Sequence, residues 1–336
     1  MTIEADKLHG TFVDPNRGKI TFAAWCEEYL DSSNKRATTL ARDRSVTDRH
    51  LLPALGRRPL NAISKRDVQQ VVNRMKRNLA PATVRTNYGV LRAILSAAVT
   101  ADRIGRSPCQ GVSLPTQERP KIRFLTADDL VRLADATPVE CRPMIYLAGV
   151  LSLRWSEVVG LRVGRVNFLR ETLEVAETTA EVRGVLIERA DVKSRASKRT
   201  LAIPPFLVAL LSEHLARRGL TAETPDALVF IAPEGGPVRA GNFRRRMWAP
   251  TVHAAGLDGL TFHGLRHTAV GLMIALDTHF EAIKQRMGHG SIRVTSDVYG
   301  SLLPAVDASV TQALEALFRP EAARSRVHGA FTEGDD

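Results

Sequence analysis

The sequence predicts a mainly α protein with a small β-sheet, an α+β fold, built as two domains that an extended linker joins. Apolar residues recur at helical spacing through most of the 336 residues. Short β-like runs are confined to 166–203. Pro108, Gly111, Pro115 and Pro120 mark the connection between the domains. The expected division is a tail at 1–20, a helical domain at 21–106, a linker at 107–124, a larger domain at 125–320 and a tail at 321–336.

The first domain is predicted to be a compact bundle of four helices. A capping box, Ser64 with Asp67, begins the third helix, and Pro81 suits the first turn of the fourth. Pro53 and Gly56 are expected to end the second helix. The predicted helices cover 21–31, 36–52, 64–75 and a stretch that starts at 81.

The second domain is predicted to be mostly helical around a small sheet. A capping box formed by Thr126 and Asp129 opens it. Short β-like runs are expected at 166–187, followed by a loop and a strand at 193–203. Helices are expected at about 126–136, 139–153, 204–218, 241–255, 264–276, 279–287 and 304–318. The last of these either docks on a neighbouring copy or packs on its own domain.

The positive charge of the chain is concentrated in its first third. The net charge is +11, and residues 33–124 alone carry +14 because 19 Lys and Arg stand against five acidic residues. A folded segment with that imbalance repels itself unless a polyanion lies beside it, which favours a nucleic-acid partner. A basic helical domain without a partner is the alternative.

Composition excludes several classes of protein. Hydrophobic residues make up 44% and charged residues 25% of the chain, which is typical of a globular protein. The longest apolar runs, such as Met144–Leu151, are too short to span a membrane, and the polar N-terminus does not resemble a signal peptide. Cys26, Cys109 and Cys141 fit neither a disulfide framework nor a C-x-x-C metal site, which indicates a reducing, cytoplasmic setting.

The densest cluster of reactive side chains is Thr261-Phe-His-Gly-Leu-Arg-His-Thr268. On a helix that begins near His263, Arg266 lies on the same face at i+3 and His267 follows at i+4. Two histidines at that spacing also occur in zinc sites, but Gly264 stands where such a site needs Glu. Ordinary capping side chains at a helix N-terminus are a further alternative.

A second candidate is Arg154, which lies in a largely apolar stretch. A buried guanidinium is costly unless it is paired, and Glu157 at i+3 is placed to pair with it. The pair is either purely structural or a phosphate site, in which Glu157 orients an arginine whose planar fork binds two oxygens.

Three further residues, taken singly, have ordinary structural explanations. His289 lies between two glycines, where backbone can approach a ligand closely. Tyr299 is a lone aromatic, and such residues are most often part of a core or its rim. Lys193 lies in a basic loop typical of a solvated turn.

The order of these residues gives them a common meaning. Arg, Lys, His-x-x-Arg, Gly-His and Tyr follow one another as in the tyrosine recombinases, the phage integrase family, which this sequence resembles over about 20–320. Leu151-Ser-Leu-Arg-Trp-Ser-Glu157 is similar to the family's first Arg box, His263-Gly-Leu-Arg-His-Thr268 to its H-x-L-R-H-T box, and Gly288-His-Gly-Ser291 to its L-G-H-S box. Tyr299 occupies the nucleophile position, and Lys193 matches the lysine at the turn of the small sheet.

The resemblance implies both the fold and the reaction. His50-Leu-Leu-Pro-Ala-Leu-Gly56 and Leu60-Asn-Ala-Ile63 are similar to the family's core-binding domain, a four-helix, SAM-like domain that precedes a catalytic domain of the DNA breaking-rejoining fold. It implies a site-specific recombinase that integrates or excises a phage or mobile element through a 3′-phosphotyrosyl intermediate, without a metal or another cofactor. The implied catalytic residues are Arg154, Lys193, His263, Arg266, His289 and Tyr299, with Glu157 and His267 supporting them.

Each implied role answers a need of phosphodiester cleavage. Tyr299 attacks phosphorus, His263 accepts or orients the proton of that tyrosine, and Lys193 protonates the leaving 5′-oxygen. The non-bridging oxygens are held by cationic and hydrogen-bonding groups, namely Arg154, Arg266 and His289.

The expected partner is double-stranded DNA carrying attachment sites. The resemblance also implies a homotetramer on DNA in the synaptic complex. It leaves open whether an excision factor or a host bending factor is a further partner. The basic residues expected to contact DNA are Arg42, Arg44, Arg49, Lys65, Arg66, Arg85 and Arg92. A type IB topoisomerase, a non-enzymatic DNA-binding protein and a metal-dependent nuclease are the rival hypotheses.

Two features depart from the family's pattern. Leu151 and Ser152 stand where a Thr-Gly pair is common, which we expect to be a small change in backbone packing. Many integrases also begin with an arm-binding domain, whereas this sequence enters the core-binding domain by about residue 20. Either this is a simple integrase without arm sites, or the given start omits that domain.

Overall fold

The computed structural model describes residues 17–118, 122–182, 184–191 and 197–288. Two compact units are present, Met1–Lys121 with the short segment Glu181–Val185, and Ile122–Ala180 with Leu186–Asp336. Helices dominate and the strands are few and short, as the sequence predicts. The predicted helix at 304–318, the tail at 321–336 and the predicted site residues Lys193, His289 and Tyr299 lie outside the described residues.

The first unit is a bundle of helices around one apolar core. Its largest fully buried side chains include Phe22, Leu51, Leu91 and Ile94. The predicted capping box is confirmed, since Asp67 N–H donates to Ser64 Oγ at 3.3 Å and Ser64 N–H donates to Asp67 Oδ2 at 2.9 Å. The helices are α1 (Phe22–Asp31), α2 (Ala37–Val46), α3 (Leu52–Leu55), α4 (Lys65–Lys76) and α5 (Pro81–Thr100).

The second predicted helix ends differently from the expectation. The chain passes from α2 through a wide π turn, Thr47–Leu51, directly into α3. Pro53 lies in the first turn of α3, directly after the wider π turn, and the chain stays helical through it, so the prediction that Pro53 ends the helix is wrong. Gly56 caps α3, which places the end where the glycine predicted it.

Within the described residues, the second unit contains eight α-helices, the three-stranded sheet and, apart from Glu181–Val185, the two-stranded sheet. Strands β1, β2 and β5 form an antiparallel sheet in that order, with Leu173 opposite Leu201, and β3 pairs with β4. The helices are α6 (Ala127–Asp135), α7 (Arg142–Gly149), α8 (Trp155–Val159), α9 (Pro205–Arg217), α10 (Ala240–Phe243), α11 (Ala249–Ala254), α12 (Phe262–Ala275) and α13 (Phe280–Met287). The strands are β1 (Val166–Asn167), β2 (Thr172–Val175), β3 (Glu177–Val182), β4 (Val185–Asp191) and β5 (Arg199–Ala202).

In the second unit, a local capping signal predicts one helix start correctly, whereas other helices differ from the pattern that the sequence predicts. The capping box at the start of α6 is confirmed, because Thr126 and Asp129 exchange two bonds of 3.1 Å. The predicted helix at 241–255 is divided by a second π turn, Arg244–Trp248. The helix α8 was not predicted, although it carries a candidate pair. None of the helices in the described part of the chain combines the length and apolarity that crossing a bilayer requires.

Candidate active site

The N-terminus of α12 carries the His-x-x-Arg motif. Thr261 caps this helix, because its Oγ1 accepts a hydrogen bond from Gly264 N–H at 3.1 Å. His263 therefore lies in the first turn, where its side chain is exposed, and Arg266 one turn later points into the protein. The predicted placement of the two residues on a helix beginning near His263 is confirmed.

Arg266 is a buried cation that joins two other elements. It is only 2% exposed, and its guanidinium donates to the carbonyls of Ser152 and Met287. Ser152 precedes α8 and Met287 ends α13. A charge this deeply buried requires hydrogen-bonding partners, so Arg266 fixes both backbone segments relative to α12.

Ser152 shows what the departure from the Thr-Gly pattern means. It is fully buried and adopts a φ of +59°, a conformation that glycine adopts without penalty and other residues rarely adopt. Its carbonyl is one of the two that accept from Arg266. Serine thus adopts at this position a backbone conformation that a glycine would adopt without penalty.

Arg154 and Glu157 form the predicted ion pair at the start of α8. Arg154 Nη1 donates to Glu157 Oε1 at 2.8 Å, and Arg154 N–H donates to Oε2 at 2.8 Å. The Glu157 side chain is 2% exposed, whereas that of Arg154 is 30% exposed. Within the described residues the other guanidinium nitrogens of Arg154 make no hydrogen bond, so the buried carboxylate orients an arginine that still faces solvent.

A third charged residue, Arg199, completes this arrangement. Arg199 donates from Nη1 to Glu157 Oε1 at 3.2 Å and from Nη2 to Oε2 at 3.0 Å. Sequence analysis did not identify it. The strand alternation gives the missing signal, because Arg199 lies on the same face of β5 as the buried Leu201, where an arginine needs an acidic partner.

Aromatic packing brings the two motifs together. The ring of Trp155 lies 5.1 Å from that of Phe262 and 4.4 Å from that of Phe243. Trp155 follows Arg154 and Phe262 precedes His263, so this contact places the start of α8 beside the start of α12. Arg154, Glu157, His263 and Arg266 thereby meet at one site.

The charges at the site shift the pKa values of its acid and bases. Burial raises the pKa of the Glu157 carboxyl, but hydrogen bonds and charge from Arg199, with those from Arg154, outweigh it and leave the pKa below its ordinary value. Although His263 is exposed, partial desolvation of its ring lowers its pKa, and the nearby Arg266 and Arg154 lower it further. Glu157 is therefore ionised and His263 neutral near pH 7.

His267 is the neighbour of His263 on the helix. Their rings are 4.9 Å apart and nearly perpendicular. Burial, then His263 and Arg266, lower the pKa of His267 from 6.5 to about 4. His267 is therefore neutral near pH 7, as His263 is. Neither histidine adds a positive charge beside Arg154 and Arg266 at that pH.

Comparison with known proteins identifies the chain. Residues 123–304 match the Phage integrase family, and residues 22–113 match the Phage integrase central domain. The chain belongs to the phage integrase family. It is a tyrosine-type site-specific recombinase, as the order of its motifs led us to expect.

Individual relatives agree with this assignment. The chain is 27% identical over 274 residues to a putative prophage phiRv2 integrase of Mycobacterium tuberculosis, a match that covers 80% of this chain and 72% of that protein. Its fold is similar to that of the Tn1549 transposon integrase in complex with a circular intermediate DNA (TM-score 0.69, 19% identity, 83% of this chain and 94% of that chain). It is also similar to lambda integrase, solved as a tetramer bound to a Holliday junction (TM-score 0.59, 18% identity, 82% of this chain and 79% of that chain).

The predicted DNA-contact residues of this recombinase differ in their surroundings. Arg44 forms ion pairs of 3.1 Å with both Glu27 and Asp31, and Arg42 pairs with the buried Asp43 at 2.7 Å. Arg85 donates to the carbonyl of Pro115 at 2.8 Å. The other four side chains are exposed and make no ion pair within the described residues, namely Arg49, Lys65, Arg66 and Arg92.

Proposed function

We propose that this recombinase cleaves DNA by attack of Tyr299 on a phosphodiester that Arg154 and Arg266 hold. The observation that carries the proposal is the meeting of these two arginines with His263 at one site. Both guanidiniums are fixed by buried contacts, and both act electrostatically on the same histidine. Pre-positioned cations of this kind stabilise the charge that develops in a phosphoryl-transfer transition state.

The two arginines contribute in different ways. Arg154 presents the solvent-facing part of its guanidinium, so we assign it the direct hydrogen bonds to non-bridging oxygens. Arg266 is buried and contributes a fixed positive charge at short range, which a low-dielectric surrounding strengthens. Together they supply positive charge of the kind that a metal ion provides in other phosphoryl-transfer sites.

His263 is suited to handle the proton of the tyrosine. The phenol of an unperturbed tyrosine has a pKa of about 10, and it must lose its proton to become a strong nucleophile. His263 is neutral near pH 7 because its pKa is lowered, so one of its two ring nitrogens is unprotonated at that pH and can accept a proton.

The remaining steps fall to residues outside the described part of the chain. The Tyr299 oxygen forms a bond to phosphorus while the bond from phosphorus to the 5′-oxygen breaks. Lys193 gives that oxygen its proton, and His289 donates a hydrogen bond to a non-bridging oxygen. Because the phosphotyrosine keeps the bond energy, a 5′-hydroxyl rejoins the strand by the reverse attack without ATP.

We assign DNA binding to the domain at 21–106 and strand cleavage and rejoining to the domain at 125–320. The basic surface of the first gives affinity through phosphates rather than specificity. The likeness to a lambda integrase tetramer on a Holliday junction supports a homotetramer in the synaptic complex. Excision or host bending factors act on that complex, and DNA as substrate fits a cytoplasmic site of action.

A nicked duplex that carries the attachment site and loses a short fragment on cleavage tests the proposal. Wild-type protein is expected to form an adduct that survives denaturation in detergent. Tyr299→Phe is expected to bind the same duplex and form none, because its ring has no nucleophilic oxygen. An adduct of equal yield with Tyr299→Phe would show that another residue attacks.

A further inference from the structure

The guanidinium of Arg199 is buried beside the Arg154–Glu157 pair and faces away from solvent. Its side chain is 6% exposed, although it begins a strand in a small sheet. Besides its two bonds to Glu157, it donates from Nε to the carbonyl of Arg286 at 2.7 Å and from Nη1 to that of Ser197 at 3.1 Å. A buried guanidinium with this many partners is held in one orientation.

On one side, Arg199 holds the carboxylate that orients Arg154. Glu157 receives both Nη groups of Arg199 and, on the same two oxygens, the backbone and Nη1 of Arg154. Without Arg199, this carboxylate would be buried with a single, partly exposed cation. Its position and its ionisation would then both be less well defined.

On the other side, Arg199 holds the C-terminal end of α13. The last carbonyls of a helix lack intrahelical partners. Here the carbonyl of Arg286 accepts from Arg199 and that of Met287 accepts from Arg266. Gly288 then turns the chain at a φ of +62°, and the next residue in the sequence is His289.

We propose that Arg199 is a positioning residue that links Arg154, through Glu157, to the end of α13 from which His289 follows. This inference rests on the proposed function, since it assumes that Arg154 and His289 act on one phosphate. Arg199 holds Glu157, and through it Arg154, in register with the end of α13, and its four guanidinium hydrogen bonds within the described residues are all with protein groups. A lysine cannot replace it, because three of these contacts need the two Nη groups and Nε of one planar fork.

The first test compares Arg199→Lys and Arg199→Met with wild type in single-turnover cleavage of the nicked duplex. Rates are normalised to DNA-bound protein. Both variants are expected to cleave about 10- to 100-fold more slowly, the loss that a displacement of about 1 Å produces. DNA affinity is expected to stay at the wild-type value. The Arg199→Lys variant keeps the buried positive charge. If Arg199→Met does not fold, the cleavage rate of Arg199→Lys is sufficient to test the inference.

Arg162→Met is the matched control. Arg162 is also buried, at 8% side-chain exposure, and it also bonds a carboxylate, Glu188 at 2.7 Å, and a backbone carbonyl, that of Asp226. It belongs to the same unit but has no contact with Glu157 within the described residues. Its loss is expected to lower the melting temperature while the normalised cleavage rate stays within about twofold of wild type.

A pH profile separates positioning from a general loss of stability. Losing Arg199 raises the pKa of the Glu157 carboxyl, so cleavage by Arg199→Met is expected to fall as the pH is lowered from neutrality, giving an acidic limb that wild type does not show. Adding Glu157→Gln to Arg199→Met is expected to remove the limb. The other charged residues facing Glu157 are Arg154 and, around one small cavity, Arg165, Glu174 and Glu177, all unchanged in these variants. Any limb from His263 is common to every variant, because Arg266 and Arg154 set its electrostatic surroundings.

Three outcomes would overturn the inference: wild-type rates in Arg199→Lys, an equal loss in Arg162→Met, or a loss that does not depend on pH. Wild type and Tyr299→Phe are run beside these variants. If wild type forms no adduct through Tyr299, the proposed function fails. If that adduct forms normally and the Arg199 variants cleave like wild type, only the positioning role fails.

Discussion

At the scale of single residues, the site is organised by buried charge. Arg266 and Arg199 are almost fully buried, and each is saturated by carbonyls or a carboxylate rather than by solvent. Arg154 alone of the three arginines is appreciably exposed. The two buried arginines are therefore fixed by protein groups, and Arg154 is the one whose guanidinium still faces solvent, as its proposed contact with a phosphate requires.

The sequence predicted the local pairs and missed the distant one. Glu157 lies three residues from Arg154, and Arg266 three from His263, so helix geometry alone predicts both relationships. Arg199 lies 42 positions from Glu157, and only the folded sheet brings them together. Strand alternation indicates that Arg199 needs an acidic partner, but a single sequence does not indicate that this partner is Glu157.

The free energy of unfolding is expected to depend on pH through the titration of His267. Its pKa falls from 6.5 to about 4 on folding, so the folded state resists protonation. The resulting stability is present above about pH 6.5 and is lost as the pH falls through 6.5 towards 4, by on the order of 3 kcal/mol. Urea unfolding of His267→Gln is expected to show a flatter pH dependence in this window, because glutamine does not titrate. His263 retains a smaller effect of the same sign. The same slope in His267→Gln and wild type would contradict this assignment.

At the scale of elements, capping signals predicted helix starts well and apolar spacing predicted their continuation less well. Both capping boxes are present because each depends on residues only three apart. The two π turns, Thr47–Leu51 and Arg244–Trp248, shift the helical register in ways that apolar spacing does not reveal. The short helix α8 was missed because five residues are too few to show a period.

The close approach of α8 to β3 gives a test at this scale. A Cβ added at Gly160 would lie 2.6 Å from Thr179 N and 2.9 Å from Ser156 O, both backbone atoms. Gly160→Ala is expected to destabilise the protein by roughly 1–3 kcal/mol. It should also slow cleavage, because α8 carries Glu157 and begins at Arg154. The readouts are urea unfolding and single-turnover cleavage.

Gly241→Ala in α10 is the control for that substitution. A Cβ at Gly241 meets no heavy atom within 4 Å, so stability and cleavage are expected to remain at or above wild type. Equal behaviour of the two alanine variants would show that the contact between α8 and β3 does not constrain the site.

At the scale of the whole molecule, the excess positive charge lies in the first third of the chain, to which we assign DNA binding. Residues 33–124 carry +14 while the whole chain carries +11. The sequence predicted this division of charge fully, since counting residues needs no structure. It did not reveal which basic side chains form ion pairs with acidic residues.

Salt dependence of DNA binding tests the basic surface. Arg49→Ala is expected to weaken binding to all duplexes alike and to reduce the slope of log affinity against log salt by about 0.9, the contribution of one phosphate. Arg44→Ala is expected to change the slope less, because Glu27 and Asp31 already neutralise that guanidinium. Filter binding or fluorescence anisotropy at several salt concentrations gives both slopes. A wild-type slope in Arg49→Ala would exclude that residue from the DNA-contact surface.

The central claim is that a phenol from the C-terminal part of the chain becomes joined to a backbone phosphate held by Arg154 and Arg266. Proteolysis of the trapped adduct, followed by mass spectrometry of the nucleotide-bearing peptide, tests it most directly. We expect a 3′-phosphonucleotide on Tyr299 and a free 5′-hydroxyl on the released strand. A nucleotide on any other residue, or a linkage to a 5′-phosphate, would contradict it.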